Sequence, residues 1–235
     1  MHKQDSEFFE YFFVVVGYPG IFKITPYALW KGIAIEILNF IGVFSWTYVD
    51  VFIMGVSIAL SSKFKEMTFR IEQYVRKDVY DIYLWKIVRE DYCQMCLLTK
   101  LMDSKLSYLI LLSSANNLYF ILSQCFQSLR NANDSGLKLY FIYSFSFVII
   151  RTVCVYLIAA SVNIESLKPL KALYTVQSHM YNLEVKRLIR FIALDSVCIT
   201  GKNFFNIKRH ILLDLASALV TYELVIVQFT KEEYF

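Results

Sequence analysis

The stretch Ile211–Phe229, ILLDLASALVTYELVIVQF, decides the fold class of this chain. At about 1.5 Å of rise per residue, a helix of this length crosses the roughly 30 Å hydrocarbon layer of a bilayer. Five of its residues recur at alternating steps of three and four and therefore share one helix face. Four of them are polar, namely Asp214, Ser217, Thr221 and Gln228, and the fifth is Leu224. A charged group inside a membrane costs about 2.5–3.5 kcal/mol, so such groups face a protein interior or a water-filled path. The polar stripe therefore indicates either hydrogen bonding between helices or the lining of an ion pore.

The composition indicates an integral membrane protein. Of its 235 residues, 57% are hydrophobic and 19% charged, and the mean hydropathy is +0.47, which is too apolar for an ordinary soluble domain. Only 7 Gly and 3 Pro are present, which favours long helices over a turn-rich barrel. We therefore predict an all-α membrane protein, a bundle of transmembrane helices. The net charge of +4 is small, and no basic patch indicates a nucleic-acid partner.

The cysteines and histidines give no reason to expect a metal or a cofactor. The five cysteines are an odd number spread over apolar or helical stretches, which is not a disulfide framework. Cys93 and Cys96 form a C-x-x-C, but there is no second pair and no nearby histidine. The three histidines are scattered, and we find no phosphate loop and no recognisable Ser-His-Asp arrangement. We therefore expect no enzyme.

Apolar and charged stretches alternate along the chain. Residues 61–105 and 162–210 are rich in charge, and apolar residues at three-to-four spacing within them predict amphipathic helices outside the lipid. One such helix should run from about Leu170 to Ser196, since Pro169 is a good helix start. The expected organisation is a loop at 1–25, bundle helices at 26–127 and 137–161 that include the cytoplasmic segment 61–105, an anchor region at 162–210, a final helix at 211–230 and a tail at 231–235.

Lysine and arginine counts give the orientation in the membrane. Segments 61–105 and 162–210 hold nine and eight of these residues, whereas the 128–138 loop holds only Arg130 and Lys138. Loops rich in Lys and Arg stay in the cytoplasm, so both chain ends should lie outside the cell, in a multi-pass protein of the plasma membrane with an extracellular C-terminus. A sequon at Asn133 agrees with an outer loop. An exterior N-terminus without a signal peptide leads us to expect the C-terminal part of a longer protein.

Several motifs in this order resemble insect gustatory receptors. The resemblance covers nearly the whole chain from about Phe8, and Glu223 after Thr-Tyr is similar to the sugar-receptor branch. The motifs are FSWTYVDVFIM (Phe44–Met54), ANNLYFI (Ala115–Ile121), IRT (Ile150–Thr152), GKNFFNIKR (Gly201–Arg209) and TYELVIVQF (Thr221–Phe229).

The resemblance implies a seven-span, ligand-gated, non-selective cation channel of taste neurons, with four subunits around one pore. This chain would hold spans four to seven and would form a homo- or hetero-tetramer with other gustatory receptors. Subunits would meet through the cytoplasmic segments, although those helices are also suited to lie on the membrane surface among its lipids. The resemblance places an extracellular gate at Gln228 and Phe229, and four Phe rings make a constriction that excludes water.

The remaining polar positions of the last helix fit this scheme with different roles. Ser217 and Thr221 share the face of Gln228 and are pore candidates, and Asp214 either joins them or sits at the wet inner end. Tyr222 and Glu223 lie off that face, so we expect Glu223 to contact the surrounding bundle and to couple ligand occupancy to the gate.

Polar and aromatic residues in the other spans are candidates for binding a sugar, which needs planar hydrogen-bonding groups and an aromatic face. Asp50 shares a face with Glu36 and Asn39, but counting from Tyr27 places it too deep for a ligand from outside. The candidates are Glu36, Asn39, Asn116, Asn117, Tyr119, Gln124, Tyr140, Tyr143 and Arg151. For each, the alternative is hydrogen bonding between helices. Arg151 needs a partner inside the membrane, and we expect that partner to be Glu36.

Three other functions remain open for this sequence. The chain could be a chemoreceptor for a non-sugar ligand, a membrane transporter or enzyme subunit, or a truncated and non-functional receptor fragment. A sugar-gated channel is the interpretation that the motifs favour.

Overall fold

The computed structural model describes residues 9–130 and 135–232 of the chain. The side chains at 15–17, 19, 127–130, 135–140, 223, 226–227 and 229–232 lie outside the described residues. The elements in chain order are a π-helix (Phe12–Gly17), α1 (Pro19–Phe22), α2 (Leu29–Arg76), α3 (Ile82–Arg130), α4 (Ser135–Leu167), α5 (Pro169–Leu173), α6 (Leu183–Leu194), β1 (Ile199–Gly201), β2 (Phe205–Ile207) and α7 (Ile211–Glu232).

Among the described residues, three stretches are long and apolar enough to cross a membrane, namely Leu29–Arg76, Ile82–Phe126 and Phe141–Leu173. The predicted all-α membrane fold is therefore confirmed, and the protein is a multi-pass membrane protein. In α7 the described apolar stretch covers Ile211–Tyr222. Since α2 has 48 residues and α3 has 49, each is more than twice as long as the roughly 20 residues that a membrane span requires. The predicted membrane and cytoplasmic segments are thus parts of continuous helices.

The chain divides into two compact units, Met1–Tyr48 and Val49–Phe235. In the first unit, where the sequence predicts a loop over 1–25, the structure has the π-helix and α1. The ring of Phe13 packs so closely on Gly32 that a Cβ at Gly32 would lie 2.7 Å from it. Aromatic packing on a glycine therefore orders a segment whose Gly and Pro residues suggested only a loop. In the same unit the Tyr18 hydroxyl donates to Glu36 over 2.9 Å.

The second unit has a hydrophobic core where α2, α3, α4, α6 and the hairpin meet. Its largest fully buried side chains include Phe64, Trp85 and Tyr92. The polar atoms of the two amphipathic aromatics are satisfied, because the Trp85 indole donates to the Val79 carbonyl over 2.8 Å and the Tyr92 hydroxyl to the Ser166 carbonyl over 2.6 Å. Most of the core therefore comes from the segments 61–105 and 162–210, which the sequence predicts to lie outside the lipid, and the rest comes from the predicted spans, for example Ile53 and Ala159.

The single helix predicted over Leu170–Ser196 is wrong. The structure divides this stretch into α5 and α6, because Asn182 accepts a hydrogen bond from the Val185 amide over 2.9 Å and starts a new helix there. Helix α6 buries Val185, Leu188 and Ile192, the three-to-four spacing of an amphipathic helix.

An ion pair attaches α6 to α3. Arg89 Nε lies 2.6 Å from Glu184 Oε2, and Arg187 contacts the other carboxylate oxygen of Glu184 over 2.8 Å. The hydrogen bond from the Arg89 guanidinium holds the pKa of the Glu184 carboxyl below its ordinary value. This carboxylate therefore stays charged throughout the neutral pH range.

Candidate functional site

A buried polar cluster joins three membrane helices. It consists of Asp50 on α2, Ser113 and Asn117 on α3, and Arg151 on α4, and we call it the Asp50 cluster. Asp50 is 1% exposed, Asn117 1% and Ser113 5%, and the side chain of Arg151 is 9% exposed. Charged groups this deep inside a helical bundle are rare and must find partners.

Asp50 is the centre of this cluster. The Arg151 Nε donates to Asp50 Oδ2 over 2.7 Å, and Asn117 Nδ2 donates to the same oxygen over 3.3 Å. The Ser113 hydroxyl donates to Asp50 Oδ1. The carboxylate thus receives one hydrogen bond from a charged donor and two from neutral donors, and these bonds compensate the desolvation of a buried ion.

The sequence forms this arrangement by simple helical periodicity. Ser113 and Asn117 are four residues apart and therefore lie on one face of α3, where Asn117 Nδ2 is 3.4 Å from Ser113 Oγ. No charge in the cluster is left uncompensated, since the carboxylate of Asp50 and the guanidinium of Arg151 neutralise each other. The arrangement holds helices together, and nothing in its chemistry provides an activated nucleophile.

A second polar contact joins α3 and α4 two helical turns away from Asn117. Gln124 Nε2 donates to Ser144 Oγ over 2.9 Å. The carbonyl oxygen of Gln124 is buried, and among the described residues it has no hydrogen-bond donor. A buried acceptor without a donor is costly and is most simply satisfied by water or a ligand.

The structure separates the predicted ligand residues into different surroundings. Asn117 and Arg151 lie in the Asp50 cluster, and Gln124 lies in the contact with Ser144. The others described are half-buried or exposed, with Asn116 half-buried and Glu36, Asn39, Tyr119 and Tyr143 exposed. The side chain of Tyr140 lies outside the described residues.

The expected partner of Arg151 is wrong. The sequence pairs Arg151 with Glu36 by depth, whereas the structure pairs it with Asp50 and gives Glu36 a hydrogen bond from Tyr18. Depth was counted from Tyr27 as the start of a span, but α2 continues to Arg76, so the start of the helix is no guide to the position of the membrane. Asp50 and Ser113 are the residues that sequence reasoning missed. Asp50 could have been found as a candidate, because a buried Arg151 needs a carboxylate as its partner.

Helix α7 exposes its polar stripe. Asp214, Ser217, Thr221 and Gln228 are all exposed in the chain. Thr221 Oγ1 bonds back to the Ser217 carbonyl over 2.9 Å, and Asp214 Oδ2 lies 3.9 Å from His210 Nε2. Tyr222 is 38% exposed, and the side chains of Glu223 and Phe229 lie outside the described residues. An exposed stripe is free to face a pore, but the pore and gate assignments stay predictions.

The other side of α7 is apolar and packs on α3 and α4. Leu212, Leu215 and Leu219 line a cavity of about 220 Å³ together with residues of those helices such as Leu118 and Val153. The lining also includes the hydroxyl residues Ser114, Thr152 and Tyr156, but it is mostly apolar, whereas a sugar needs several hydrogen-bonding groups.

Comparison with known proteins decides the family. A sequence model described as "Trehalose receptor" matches residues 1–235. The chain belongs to the trehalose receptor family. It is 38% identical over 222 residues to a Drosophila melanogaster protein named gustatory receptor for sugar taste 64a, covering 93% of this chain and 48% of that protein.

Two further relatives from Drosophila melanogaster agree with this membership. Gustatory receptor for sugar taste 64f is 35% identical over 212 residues, covering 90% of this chain and 45% of that protein. Gustatory receptor 5a for trehalose is 32% identical over 213 residues, covering 91% of this chain and 48% of that protein. The resemblance to the sugar branch of the gustatory receptors is thus confirmed, and the chain spans about half the length of the relatives it matches.

Proposed function

We propose that this chain forms part of a sugar-gated, non-selective cation channel in the plasma membrane of taste neurons. The channel is a homo- or hetero-tetramer with other gustatory receptors, and α7 of each subunit lines the pore. The names of the relatives support a sugar as the ligand. Because the chain spans about half of each relative, the proposal concerns the complete receptor to which these residues belong.

The observation that carries the proposal is the buried polar contact between α3 and α4 at Gln124, beside the Asp50 cluster. Gln124 contacts Ser144, and Asn117 in the Asp50 cluster lies two helical turns before Gln124 on α3. The buried carbonyl oxygen of Gln124 has no donor among the described residues, and a sugar hydroxyl is a donor of suitable chemistry. We infer that the sugar enters from outside and binds at Gln124, with the closed Asp50 cluster below it.

The gate completes this proposal. The lysine and arginine bias predicts that the N-terminal end of α7 lies inside and the C-terminal end outside the cell. A ring of Phe229 side chains then closes the pore at its outer end, and Gln228 lines the path when it opens. Tyr222 and Glu223 couple the ligand-binding bundle to that movement.

The test measures sugar-evoked currents of the complete receptor in expressing cells. Gln124→Met keeps the volume of the side chain and removes its polar atoms, so the half-maximal sugar concentration should rise about tenfold, which corresponds to 1.4 kcal/mol. The matched control is Gln94→Met, the same change at an exposed position of the same helix. The control should respond as the unmodified receptor does.

Two results would contradict the proposal. If mono-, di- and trisaccharides evoke no current from a receptor present at the cell surface, the sugar-gated channel is wrong. If currents appear but Gln124→Met leaves the half-maximal concentration unchanged, the sugar does not bind at Gln124.

A further inference from the structure

The β-hairpin between α6 and α7 has a tightly specified shape. Strands β1 and β2 pair antiparallel, with Thr200 opposite Asn206 and Gly201 opposite Phe205. Three residues connect the strands. Lys202 and Asn203 both have positive φ, 52° and 60°, as the two central residues of a type I′ turn do, and the Phe204 amide closes that turn by donating to the Gly201 carbonyl over 3.0 Å. A Cβ at Gly201 would clash with the Phe205 ring. The hairpin is therefore a fixed structure and not a flexible connection.

Helix α3 holds β1 through a carboxylate. Asp103 Oδ1 accepts a hydrogen bond from the Thr200 amide over 2.6 Å, and Asp103 Oδ2 accepts one from the Thr200 hydroxyl over 2.8 Å. Bonds to an ionised acceptor are roughly twice as strong as neutral ones. One turn further along α3, the Lys202 ammonium lies 4.1 Å from the centre of the Tyr108 ring.

The segment before the hairpin is also attached. Lys100 Nζ lies 2.7 Å from Asp195, and Asn163 Nδ2 on α4 donates to the Val197 carbonyl over 2.8 Å. Asn163 is 7% exposed, so this bond lies inside the protein. The hairpin is thus tied to both α3 and α4, the helices that carry Ser113, Asn117 and Arg151.

Helix α7 starts directly after this attached hairpin. β2 ends at Ile207, and Ile211, the first residue of α7, donates its amide to the Lys208 carbonyl over 3.1 Å. Ile211 is 8% exposed, whereas Leu213 is 74% and Leu224 60% exposed. Within the chain, α7 is therefore buried at its first residue, packs on α3 and α4 through one face as far as Leu219, and is largely exposed elsewhere.

We propose that the contact between Asp103 and Thr200 makes the hairpin a fixed pivot for the beginning of α7. Because that end is held on α3, a force on α7 tilts its far end and does not shift the whole helix. Asp103 and Thr200 are then positioning residues for gating. The inference rests on the proposed function, in which the gate lies at the far end of α7.

The test compares variants of the complete receptor in sugar-evoked current recordings at measured surface density. Thr200→Val removes the hydroxyl but keeps the branched shape, and Asp103→Asn removes the charge. Without the pivot, part of the binding free energy shifts α7 without opening it. Each variant should raise the half-maximal sugar concentration about fivefold or more, the lower end of typical coupling between sites.

Three controls separate gating from folding. Thr200→Ser restores the hydroxyl and should respond as the unmodified receptor does. The double variant of Asp103→Asn and Thr200→Val should lie within about twofold of the single variants, because both remove one contact. Thr175→Val removes an exposed threonine hydroxyl that bonds only within its own turn, and it should have no effect.

A chemical measurement tests the pivot independently of current. Burial raises the pKa of the Cys198 thiol, so maleimide labels this residue slowly in the intact hairpin. Thr200→Val should increase the labelling rate of Cys198, measured by mass spectrometry on the purified receptor, and Thr200→Ser should not.

Different results overturn the two proposals. If sugar evokes a current from the unmodified receptor, and Thr200→Val and Asp103→Asn have the same half-maximal sugar concentration as that receptor, the pivot is wrong and the proposed channel is not affected. If Thr200→Val is retained inside the cell, Asp103→Asn and the labelling of Cys198 decide. If the unmodified receptor gives no current, the proposed function is wrong. The labelling experiment needs no current, so an unchanged labelling rate of Cys198 in Thr200→Val would by itself overturn the pivot.

Discussion

The Asp50 cluster and the ion pairs between α3 and the segment 183–195 have nearly the same bond lengths in very different surroundings. Arg151 lies 2.7 Å from Asp50, Arg89 2.6 Å from Glu184 and Lys100 2.7 Å from Asp195. The exposed fractions of the two partners' side chains are 9% and 1% in the first pair, 24% and 11% in the second, and 49% and 38% in the third. Distance alone therefore does not rank these contacts.

Burial sets what the loss of each pair costs. In the Asp50 cluster, removing one partner leaves a buried charge without compensation, which costs about 3–5 kcal/mol. An exposed pair such as Lys100 and Asp195 contributes roughly 0.2–1 kcal/mol, because water solvates either ion when it is left alone. The comparison predicts a gradient of stability effects across three contacts of equal length.

The largest effect should come from Arg151→Met. This change keeps an apolar chain of similar length and leaves the buried Asp50 carboxylate uncompensated, so the free energy of unfolding should fall by about 3–5 kcal/mol. The measurement is the thermal unfolding of the detergent-solubilised complete receptor. Size-exclusion chromatography after heating gives the fraction that remains folded. The double variant of Arg151→Met and Asp50→Leu should regain part of the loss. A double variant that is less stable than Arg151→Met alone would contradict this account of the cluster.

An intermediate effect should come from Glu184→Gln. The pair with Arg89 is half-buried, and a hydrogen bond to a charged group contributes about 1.5–3 kcal/mol. Since the folded-state pKa of Glu184 is lowered, its contribution is complete above the unfolded pKa of about 4.3 and is lost as the pH falls through the folded value. Unfolding temperatures measured from pH 7 downward should drop less steeply below about pH 4.3 in Glu184→Gln than in the unmodified receptor. Equal slopes would show that Glu184 has an ordinary pKa.

The smallest effect should come from Lys100→Ala. Both partners are largely exposed, so the change should cost roughly 0.2–1 kcal/mol. Raising the salt concentration should reduce the difference from the unmodified receptor further, because exposed ion pairs are screened. A loss as large as that of Arg151→Met would mean that the proposed tetramer buries this pair.

Periodicity and composition predicted the helical membrane fold, but not that apolar and charged segments join into continuous helices of 48 and 49 residues. Sequence reasoning can find contacts along one helix face. An example is the contact of Asn117 with Ser113, four residues before it. The partner of Arg151 could not be identified in this way, because choosing between Glu36 and Asp50 needs the depth of α2 in the bundle. That depth is set by packing along a 48-residue helix and not by where the apolar stretch begins.

The segment between α4 and α7 was harder to predict for a different reason. The amphipathic pattern of Leu170–Ser196 continues through a break that only the capping bond of Asn182 reveals. The hairpin of β1 and β2 has three residues in each strand, which is too short for a period-of-two pattern to stand out. Its positive φ values at Lys202 and Asn203 occur at residues other than glycine, so the turn carried no glycine signal.

Because α3 is one continuous helix, the angle between any two of its side chains about the helix axis is fixed by their spacing in the sequence. Asp103 faces the hairpin and Ser113 faces Asp50 from the same unbroken helix. With about 3.6 residues per turn, inserting one residue between them would rotate one contact by about 100° relative to the other, whereas seven residues would rotate it by only about 20°. In evolutionary terms, this stretch should accept substitutions on its outer faces yet resist single insertions and deletions, so the spacing between Asp103 and Ser113 should stay constant where individual residues drift.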